Sequence, residues 1–437
     1  MCKTRFSLLV LAALACAFSA LPARAGSQAR IVRLSDVQGT AQIDKNTGLG
    51  FENAFLNLPI TQGTQLRTRE SGRVEIEFED GSTMRLTPNT TVEFSTLGLD
   101  DAGNRVSVVN LVEGKAYVNW LGKSGGQFTL NFAREKIELS QAAHFRIETS
   151  PGAAEIASFK NDLEVVGPSG AVTVGKKQML TFDGNDNGED RSTVARSFQE
   201  DPYDQWDKQA IEYHEQYSKN NSTPYGYGYS DLNYYGGYST VAGYGTLWQP
   251  YFVGVGWNPF MDGAWAWYPG YGSMFVSAYP WGWMPYYYGS WIYAPGFGWG
   301  WQPGGWRGWS GVPRFAGALP VHFQAPVVPT GMVNTVIVGR GGPVFTTMSP
   351  THIAVNSCSA GLGIPRGSFG NLGHLNSQVA KTGSFELRSA PQFSASGSHT
   401  DGFGFGSGHG TGSGSSTGTG HVSSGSAGHA SGGSGHR

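Results

Sequence analysis

The stretch RVEIEFEDGSTMRL at residues 73–86 constrains the fold most, because its apolar residues recur at every second position. Asp80-Gly81 interrupts this alternation, which then resumes. Period-two patterning broken by Asp-Gly is typical of a β-hairpin with one apolar face. The intervening glutamates alternate with apolar residues, so we predict that they form the solvated face of the sheet. They are Glu75, Glu77 and Glu79.

Similar alternating runs continue along residues 31–185, around turn signals at Glu113-Gly114, Asn161-Asp162 and Gly175. Each of these is predicted to be a further hairpin. Many short strands at this spacing predict a mainly β fold, either an antiparallel sandwich or a solenoid-like stack.

Residues 1–25 have the pattern of a secretory signal peptide. Lys3 and Arg5 precede an apolar run, and Ala23 and Ala25 occupy the −3 and −1 positions of a cleavage site. We therefore expect export, to the periplasm or the cell exterior. An outer-membrane lipoprotein cleaved before Cys16 is disfavoured, because the preceding residues make a poor lipobox.

Cysteine content and charge narrow the class further. Signal cleavage would leave Cys358 as the one cysteine, so we expect no intramolecular disulfide. The formal net charge of −2 argues against nucleic acid as a partner. Past the signal, no apolar run reaches about 18 residues, so no transmembrane span is expected after cleavage.

Composition divides the rest of the chain into four segments. Residues 198–219 are predicted to form a connector helix capped by Asp201. An aromatic module follows at 224–312, then an irregular Pro/Gly/Val-rich segment at 313–393. The Gly/Ser/His tail at 394–437 has almost no core-forming side chains, so we expect it to be disordered.

The aromatic module contains three Trp-x-Trp-x-Pro copies, which start at Trp265, Trp281 and Trp299. In a strand, Trp-x-Trp places both indoles on one face, and a following proline ends the strand. The spacings of 16 and 18 residues fit one hairpin per copy. We therefore predict an aromatic-rich β-hairpin meander.

Three interpretations of the rings remain open. They could pack as a compact core, stack on a glycan with Asp231 and Asp262 as the available acids, or bind at a membrane interface. The packed core is favoured, because the few polar groups suit a sugar site poorly and basic residues are nearly absent. For the glycan interpretation, the candidate ligand-contact residues are Trp265, Trp267, Trp281, Trp283, Trp291, Trp299 and Trp301.

Two segments have partial metal-binding patterns. DGNDNGED at 183–190 matches the first half of a calcium loop, but Val194 stands where the bidentate glutamate is needed. The histidines of the tail are loosely spaced between glycines and serines, which favours solvated spacers over ligands. They are His399, His409, His421, His429 and His436. We therefore predict neither a metal site nor a cofactor.

No catalytic motif stands out in the sequence. A nucleophile elbow, a zinc-protease motif and a phosphate loop are all missing. We therefore expect that the protein is not an enzyme.

Residues 31–185 resemble a FecR-type domain. The resemblance rests on VQGTAQI at 37–43, LPITQGTQLRTRESGRVEIEFEDGSTMRLTPNTTVEF at 58–94, LVEGKAYV at 111–118, FRIET at 145–149 and GPSGAVTVGKKQMLTF at 167–182. It implies a β-rich extracytoplasmic module. The best-known members belong to sigma-factor regulators with a cytoplasmic segment and a transmembrane helix. This sequence has a signal peptide there instead, so direct contact with a sigma factor is not expected.

The tryptophan-rich region resembles modules of unknown function that follow FecR-like domains in other exported bacterial proteins. LWQPYF, PYYYGSW and GWGWQPG match their pattern. Together these features predict an exported, non-enzymatic envelope protein with a binding or scaffolding role. The alternatives are a sensory or signal-relay module of an envelope signalling system and a glycan-binding protein of the cell surface. Its expected partner is an envelope polysaccharide or another envelope protein.

Overall fold

The structure is a computed structural model that describes residues 30–123, 125–184, 190–219, 226–306, 309, 314–332, 335–338, 353–356, 358–382 and 384–387. The predicted signal peptide and Gly/Ser/His tail lie outside these residues, as does the centre of the partial calcium-loop pattern at 183–190. The described residues belong to one compact unit that is mainly β with few helices and open sheets. The predicted fold class is therefore confirmed.

Residues 30–195, called the two-sheet domain, contain the first seventeen strands of the described chain. Their bounds are β1 Val32–Gln38, β2 Ala41–Asp44, β3 Glu52–Asn53, β4 Pro59–Ile60, β5 Gln65–Thr68, β6 Arg73–Glu77, β7 Thr83–Leu86, β8 Thr91–Leu99, β9 Arg105–Trp120, β10 Gly126–Phe132, β11 Glu135–Leu139, β12 Ala143–Ser150, β13 Ala153–Lys160, β14 Leu163–Gly167, β15 Gly170–Val174, β16 Met179–Gly184 and β17 Asp190–Ala195.

Hydrogen bonding places these strands in two sheets that share β9. The first sheet has the order β4-β1-β6-β7-β9-β12-β13-β16-β17 and is antiparallel throughout. The second has the order β3-β2-β5-β8-β9-β10-β11-β14-β15, in which β9 and β10 run parallel. Apolar residues of both sheets are buried in one core cluster.

Strand β9 replaces the hairpin predicted at Glu113-Gly114. Its first half pairs with β8 and β10 in the second sheet, and its second half pairs with β7 and β12 in the first. Gly114 has φ of 93°, and a Cβ there would lie 2.5 Å from the Asn89 carbonyl oxygen. The glycine therefore bends one strand between two sheets, so the predicted turn is wrong.

The other three predicted turns have different outcomes. Asp80-Gly81 joins β6 to β7, which pair in antiparallel register, so this hairpin is confirmed. Asn161-Asp162 and Gly175 lie between strands of different sheets, because β13 and β16 belong to the first sheet and β14 and β15 to the second. The predicted hairpins there are wrong, since each chain reversal also changes sheet.

The connector segment contains helix α1 Asp204–Tyr217. The helix begins later than predicted, and its N-cap is Tyr203. Asp201 is therefore not the cap, although its carboxylate accepts a 2.8 Å hydrogen bond from the Tyr203 N–H. Trp206 and Tyr213 are buried, which fixes one side of α1 against its neighbours.

The aromatic module contains two short helices and six strands, and two further strands follow it in the segment predicted to be irregular. In chain order, these elements are α2 Tyr229–Tyr235, β18 Gly236–Val241, β19 Gly245–Pro250, β20 Gly263–Tyr268, β21 Gly272–Ser277, α3 Met284–Tyr287, β22 Tyr288–Ala294, β23 Gly298–Trp306 and, in that segment, β24 Phe315–Ala316 and β25 Val336–Val338. Three hairpins, β18–β19, β20–β21 and β22–β23, follow one another. They lie in two sheets, β18-β19-β23-β22-β24 and β21-β20-β25.

The three Trp-x-Trp-x-Pro copies differ in structure. The first lies in β20, which ends before Pro269 as predicted. The middle copy is a turn leading into α3, where Pro285 suits the first helical turn, so the strand predicted there is wrong. In the third copy, β23 continues through Pro303, so that proline does not end the strand.

The segment predicted to be irregular also contains a helix that is longer than α2 and α3. Helix α4 Leu372–Thr382 buries Leu372, Leu375 and Val379, and strands β26 Ile353–Asn356 and β27 Ser384–Leu387 pair with each other. No helix in the described ranges is long and apolar enough to cross a membrane.

Candidate functional site

The predicted solvated glutamates are buried, which makes that prediction wrong. Glu75, Glu77 and Glu79 are 2%, 1% and 8% exposed. Helices α1 and α2 and the chain around Arg366 contact this face of the first sheet and cover it. The ionic groups between them form the charge cluster. It consists of Arg33, Glu75, Glu77, Arg85, His144, Asp207, His214, Asp231 and Arg366.

Glu75 on β6 is the most connected carboxylate of the charge cluster. Its Oε2 lies 2.9 Å from Arg85 Nε, and its Oε1 lies 2.9 Å from His214 Nε2 and 2.7 Å from Arg366 Nη1. The Ser35 hydroxyl also donates to Oε1, at 2.7 Å. Burial alone would raise the pKa of Glu75, but His214, Arg85 and Arg366 outweigh burial and hold it well below its usual value.

Glu77 lies on the same face, two residues further along β6. Its Oε2 is 3.1 Å from Arg33 Nη1 and accepts a 2.9 Å hydrogen bond from the Gly228 N–H. Burial raises the pKa of Glu77, because His214 and Arg33 offset the loss of hydration only in part. Two neighbouring glutamates on one strand therefore have pKa values shifted in opposite directions.

Asp231 on α2 is the acidic group that the aromatic module contributes. Its Oδ2 lies 2.6 Å from Arg33 Nη1 and 2.5 Å from Arg366 Nη2, and its Oδ1 accepts a 2.8 Å hydrogen bond from the Tyr213 hydroxyl. Burial would raise the pKa of Asp231, but Arg366 and Arg33 lower it. Asp231 is thus shared between an arginine of the two-sheet domain and Arg366, which lies 135 residues further along the sequence.

Helix α1 is fixed to the first sheet at two points. Asp207 contacts Arg85 Nη1 through Oδ1 at 2.8 Å and His144 Nε2 through Oδ2 at 2.7 Å. About two turns later, Tyr213 and His214 reach Asp231 and Glu75. The helix therefore lies between the first sheet and the aromatic module and contacts both.

Hydrogen bonds to backbone carbonyls also join the two-sheet domain to the aromatic module. Asn57 donates to the carbonyls of Ser277 and Tyr279, at 3.0 and 2.7 Å. Arg33 Nη2 donates to the Pro280 carbonyl at 2.9 Å, and the Tyr268 hydroxyl donates to the Pro59 carbonyl at 2.7 Å. Contacts to backbone carbonyls require one particular arrangement of the main chain, so they fix the orientation of the two parts.

The carboxylates of the charge cluster are all engaged in ion pairs. Every carboxylate in it contacts at least one arginine, so each is held as an ion-pair partner. Buried ion pairs add little net stability relative to apolar packing, but removing one partner is costly. Across the part of the chain that the structure describes, no group of three or more His, Cys, Asp or Glu side chains is arranged to hold a metal ion.

Six of the seven tryptophans predicted as ligand contacts are buried, at 3% exposure or less. They are Trp265, Trp281, Trp283, Trp291, Trp299 and Trp301. Trp281, for example, stacks on Tyr279 with 4.9 Å between ring centres and 8° between planes. The packing interpretation accounts for these six rings. Trp267 is half-buried, so it alone of the seven keeps substantial surface for a ligand, and its role as a contact stays a prediction.

The two acids considered for a glycan site are both engaged with other groups. Asp231 is fully buried in the charge cluster. Asp262 Oδ2 accepts a 3.0 Å hydrogen bond from the Tyr279 hydroxyl, which in turn accepts one from Trp257 Nε1 at 3.0 Å. Orienting a sugar would require one of these groups to exchange its present partner.

Sequence reasoning missed most of the charge cluster. Its unanticipated members are Arg33, Arg85, His144, Asp207, His214 and Arg366. One sequence feature could have indicated the Glu75–Arg85 pair. The two residues lie on opposite strands of the predicted hairpin, where opposite charges commonly face each other. No local pattern identifies Arg366, which is 291 residues from Glu75.

A model of the FecR protein family matches residues 64–164, and a model of DUF6600, a family of unknown function, matches residues 229–325. No curated protein matches the sequence.

Two crystal structures of a "putative anti-sigma factor" from Parabacteroides distasonis ATCC 8503 are similar to part of the chain, at 17% and 16% identity and a TM-score of 0.26. Each match covers 30% of this chain and 58% of the length of the solved chain. The family matches fall on the two parts that the charge cluster joins. The chain therefore carries a FecR family domain at residues 64–164, followed by a distinct DUF6600 module at residues 229–325.

Proposed function

We propose that this chain is a sensory or signal-relay module of an envelope signalling system and acts through a separate partner protein. The FecR family match supports this role, because the best-known FecR domains take part in such relays. We further propose that the protein is exported and non-enzymatic. A binding or scaffolding role without signalling is the alternative.

The observation that carries the proposal is the charge cluster between the two-sheet domain and the aromatic module. Asp231 and Glu75 are both bound by Arg366, and Asp231 is also bound by Arg33. Loss of one ion pair leaves a buried charge short of a partner, so neighbouring pairs are expected to form or break together. A ligand that displaces one part would then alter the exposed face of the other, which is what a relay needs.

The test compares transcripts and partners in the native bacterium. Deletion of the gene is expected to change expression of a defined gene set, and Asp231→Asn in the full chain should reproduce that change at normal protein level. Glu164→Gln is the matched control, because Glu164 is exposed on β14. Photocrosslinking of the full chain should capture one envelope protein.

Unchanged transcripts after deletion would contradict the relay. If the protein were then retained on purified peptidoglycan or exopolysaccharide, the glycan-binding alternative would replace it. Retention should in that case depend on Trp267, the candidate ring with accessible surface.

A further inference from the structure

Residues 358–382, called the strap, lie beyond both family matches and still contact both parts of the protein. The strap begins at Cys358 and ends with helix α4. Between them, Ala360 and Ile364 are buried. The strap is therefore an integrated part of the fold.

The strap docks on the aromatic module through backbone and apolar contacts. The Ala360 N–H donates to the Phe252 carbonyl at 3.0 Å, and Trp281 Nε1 donates to the Ala360 carbonyl at 2.7 Å. The Tyr235 hydroxyl donates to the Ile364 carbonyl at 2.7 Å, and α4 contacts β18. These contacts do not involve the two-sheet domain.

Arg366 makes the ionic contact between the strap and the two-sheet domain. Its Nη1 lies 2.7 Å from Glu75 Oε1 on β6, and its Nη2 lies 2.5 Å from Asp231 Oδ2 on α2. The guanidinium carbon also lies 5.5 Å from the ring centre of Tyr213 on α1. One side chain thus touches the first sheet, the connector helix and the aromatic module.

Each side of this interface contains ion pairs of its own. If the sides part, Arg33 keeps Glu77 and Arg85 keeps Glu75 within the two-sheet domain. Arg366 keeps Asp231 on the side of the aromatic module. None of these groups is left as an isolated charge, so separation avoids the largest cost of breaking a buried ion pair. An interface whose two sides each keep ion pairs is suited to opening and closing.

We propose that the two-sheet domain and the aromatic module dock reversibly, and that Arg366 of the strap is a latch that acts on this interface together with the Arg33–Asp231 pair. The latch rests on the proposed relay for its biological purpose, but not for its physical basis. When the Arg366–Glu75 contact opens, the strap stays on the aromatic module and the Glu75 face of the first sheet becomes exposed. Helix α1 then loses the neighbours that cover it on one side.

The test is hydrogen exchange measured on the purified full chain. In Arg366→Met, amides of β6, β7 and α1 are expected to exchange about tenfold faster or more, because a buried contact that holds them is lost. Amides of β12 and β13 should exchange as in the wild type. Arg134→Met is the matched control, because Arg134 is exposed. In Arg366→Lys, the single ammonium cannot contact Glu75 and Asp231 in the way that the two guanidinium nitrogens do. The exchange rates of the same segments should therefore increase, but by less than in Arg366→Met.

Three results would overturn the latch. The first is exchange in β6, β7 and α1 that equals that of Arg134→Met. The second is a uniform increase that includes β12 and β13, since that indicates global destabilisation. The third is failure of both Arg366 variants to fold. Because this test uses purified protein and the relay is tested in cells, either proposal can fail while the other stands.

Discussion

Arg33 on β1 and Asp231 on α2 are both fully buried, and 2.6 Å separates Arg33 Nη1 from Asp231 Oδ2. The pair joins the two-sheet domain to the aromatic module across 198 positions of sequence, between residues 33 and 231. Arg33 also contacts Glu77 and the Pro280 carbonyl, so one guanidinium serves both sides of the interface. Removing the Arg33 guanidinium should therefore lower the stability of the protein strongly.

Replacing Arg33 with methionine should lower the free energy of unfolding by about 3–5 kcal/mol, because Glu77 and Asp231 both lose a buried cation. Urea denaturation of the full chain measures this difference. Arg134→Met should change stability by about 0.5 kcal/mol or less, since Arg134 is exposed. An Arg33 variant as stable as this control would show that the ion pairs do not hold the interface.

Glu75 and Glu77 should make opposite contributions to the acid stability of the protein. The pKa of Glu75 is lowered well below its usual 4.5, so its contribution is present above pH 4.5 and is lost as pH falls through the folded-state value. The pKa of Glu77 is raised above 4.5, so its contribution is full below pH 4.5 and is lost as pH rises through the folded-state value.

Unfolding of the wild type, Glu75→Gln and Glu77→Gln across acid pH measures these contributions. The unfolding free energy of the wild type minus that of Glu75→Gln should decrease as pH falls. The unfolding free energy of the wild type minus that of Glu77→Gln should increase as pH falls. Parallel pH profiles for the two variants would contradict the assigned directions. Glu164→Gln, on the exposed side of β14, should follow the wild type throughout.

Gly114→Ala should destabilise the two-sheet domain by about 3 kcal/mol or more, because it adds a clash to the cost of a positive φ. A Cβ at this position would lie 2.5 Å from the Asn89 carbonyl oxygen. Gly48→Ala is the matched control, since Gly48 has φ of 80° with nothing within 4 Å of the added Cβ. It should cost about 1–2 kcal/mol. Equal losses in the two variants would show that close approach at the bend is unimportant.

Trp281→Ala should cost about 3–5 kcal/mol, because it removes a fully buried ring. The substitution also removes the hydrogen bond from Trp281 Nε1 to the Ala360 carbonyl. Trp267→Ala should cost much less, since Trp267 is half-buried. Thermal unfolding of both variants measures the difference. Comparable losses would mean that the aromatic module does not use the Trp281 ring as its core.

The sequence predicts the strands better than it predicts their partners. Asp80-Gly81 was identified correctly because both strands of that hairpin lie next to the turn and pair with each other. Gly114 and Gly175 give similar local signals, but the chain there passes from one sheet to the other. A turn signal records where the chain changes direction and contains no information about which sheet receives the next strand.

The burial of the charge cluster could likewise not be predicted from the local sequence. The alternation at Glu75 and Glu77 correctly separates two faces of a strand, but it cannot show that a second layer covers the polar face. That layer comes from α1, α2 and Arg366, all more than 120 residues away in the sequence. The packed aromatic core was easier to predict, because so many large rings with few polar partners have no other stable arrangement.

Strand β9 also restricts which changes of length the chain can tolerate. Because side chains alternate between faces, inserting one residue after Gly114 would invert every inward and outward position of the second half of β9. Its partners β7 and β12 would then meet the wrong side chains, although the first half and the second sheet were unaltered. Related sequences should therefore vary in length in the loops around β9 and keep its sixteen residues constant.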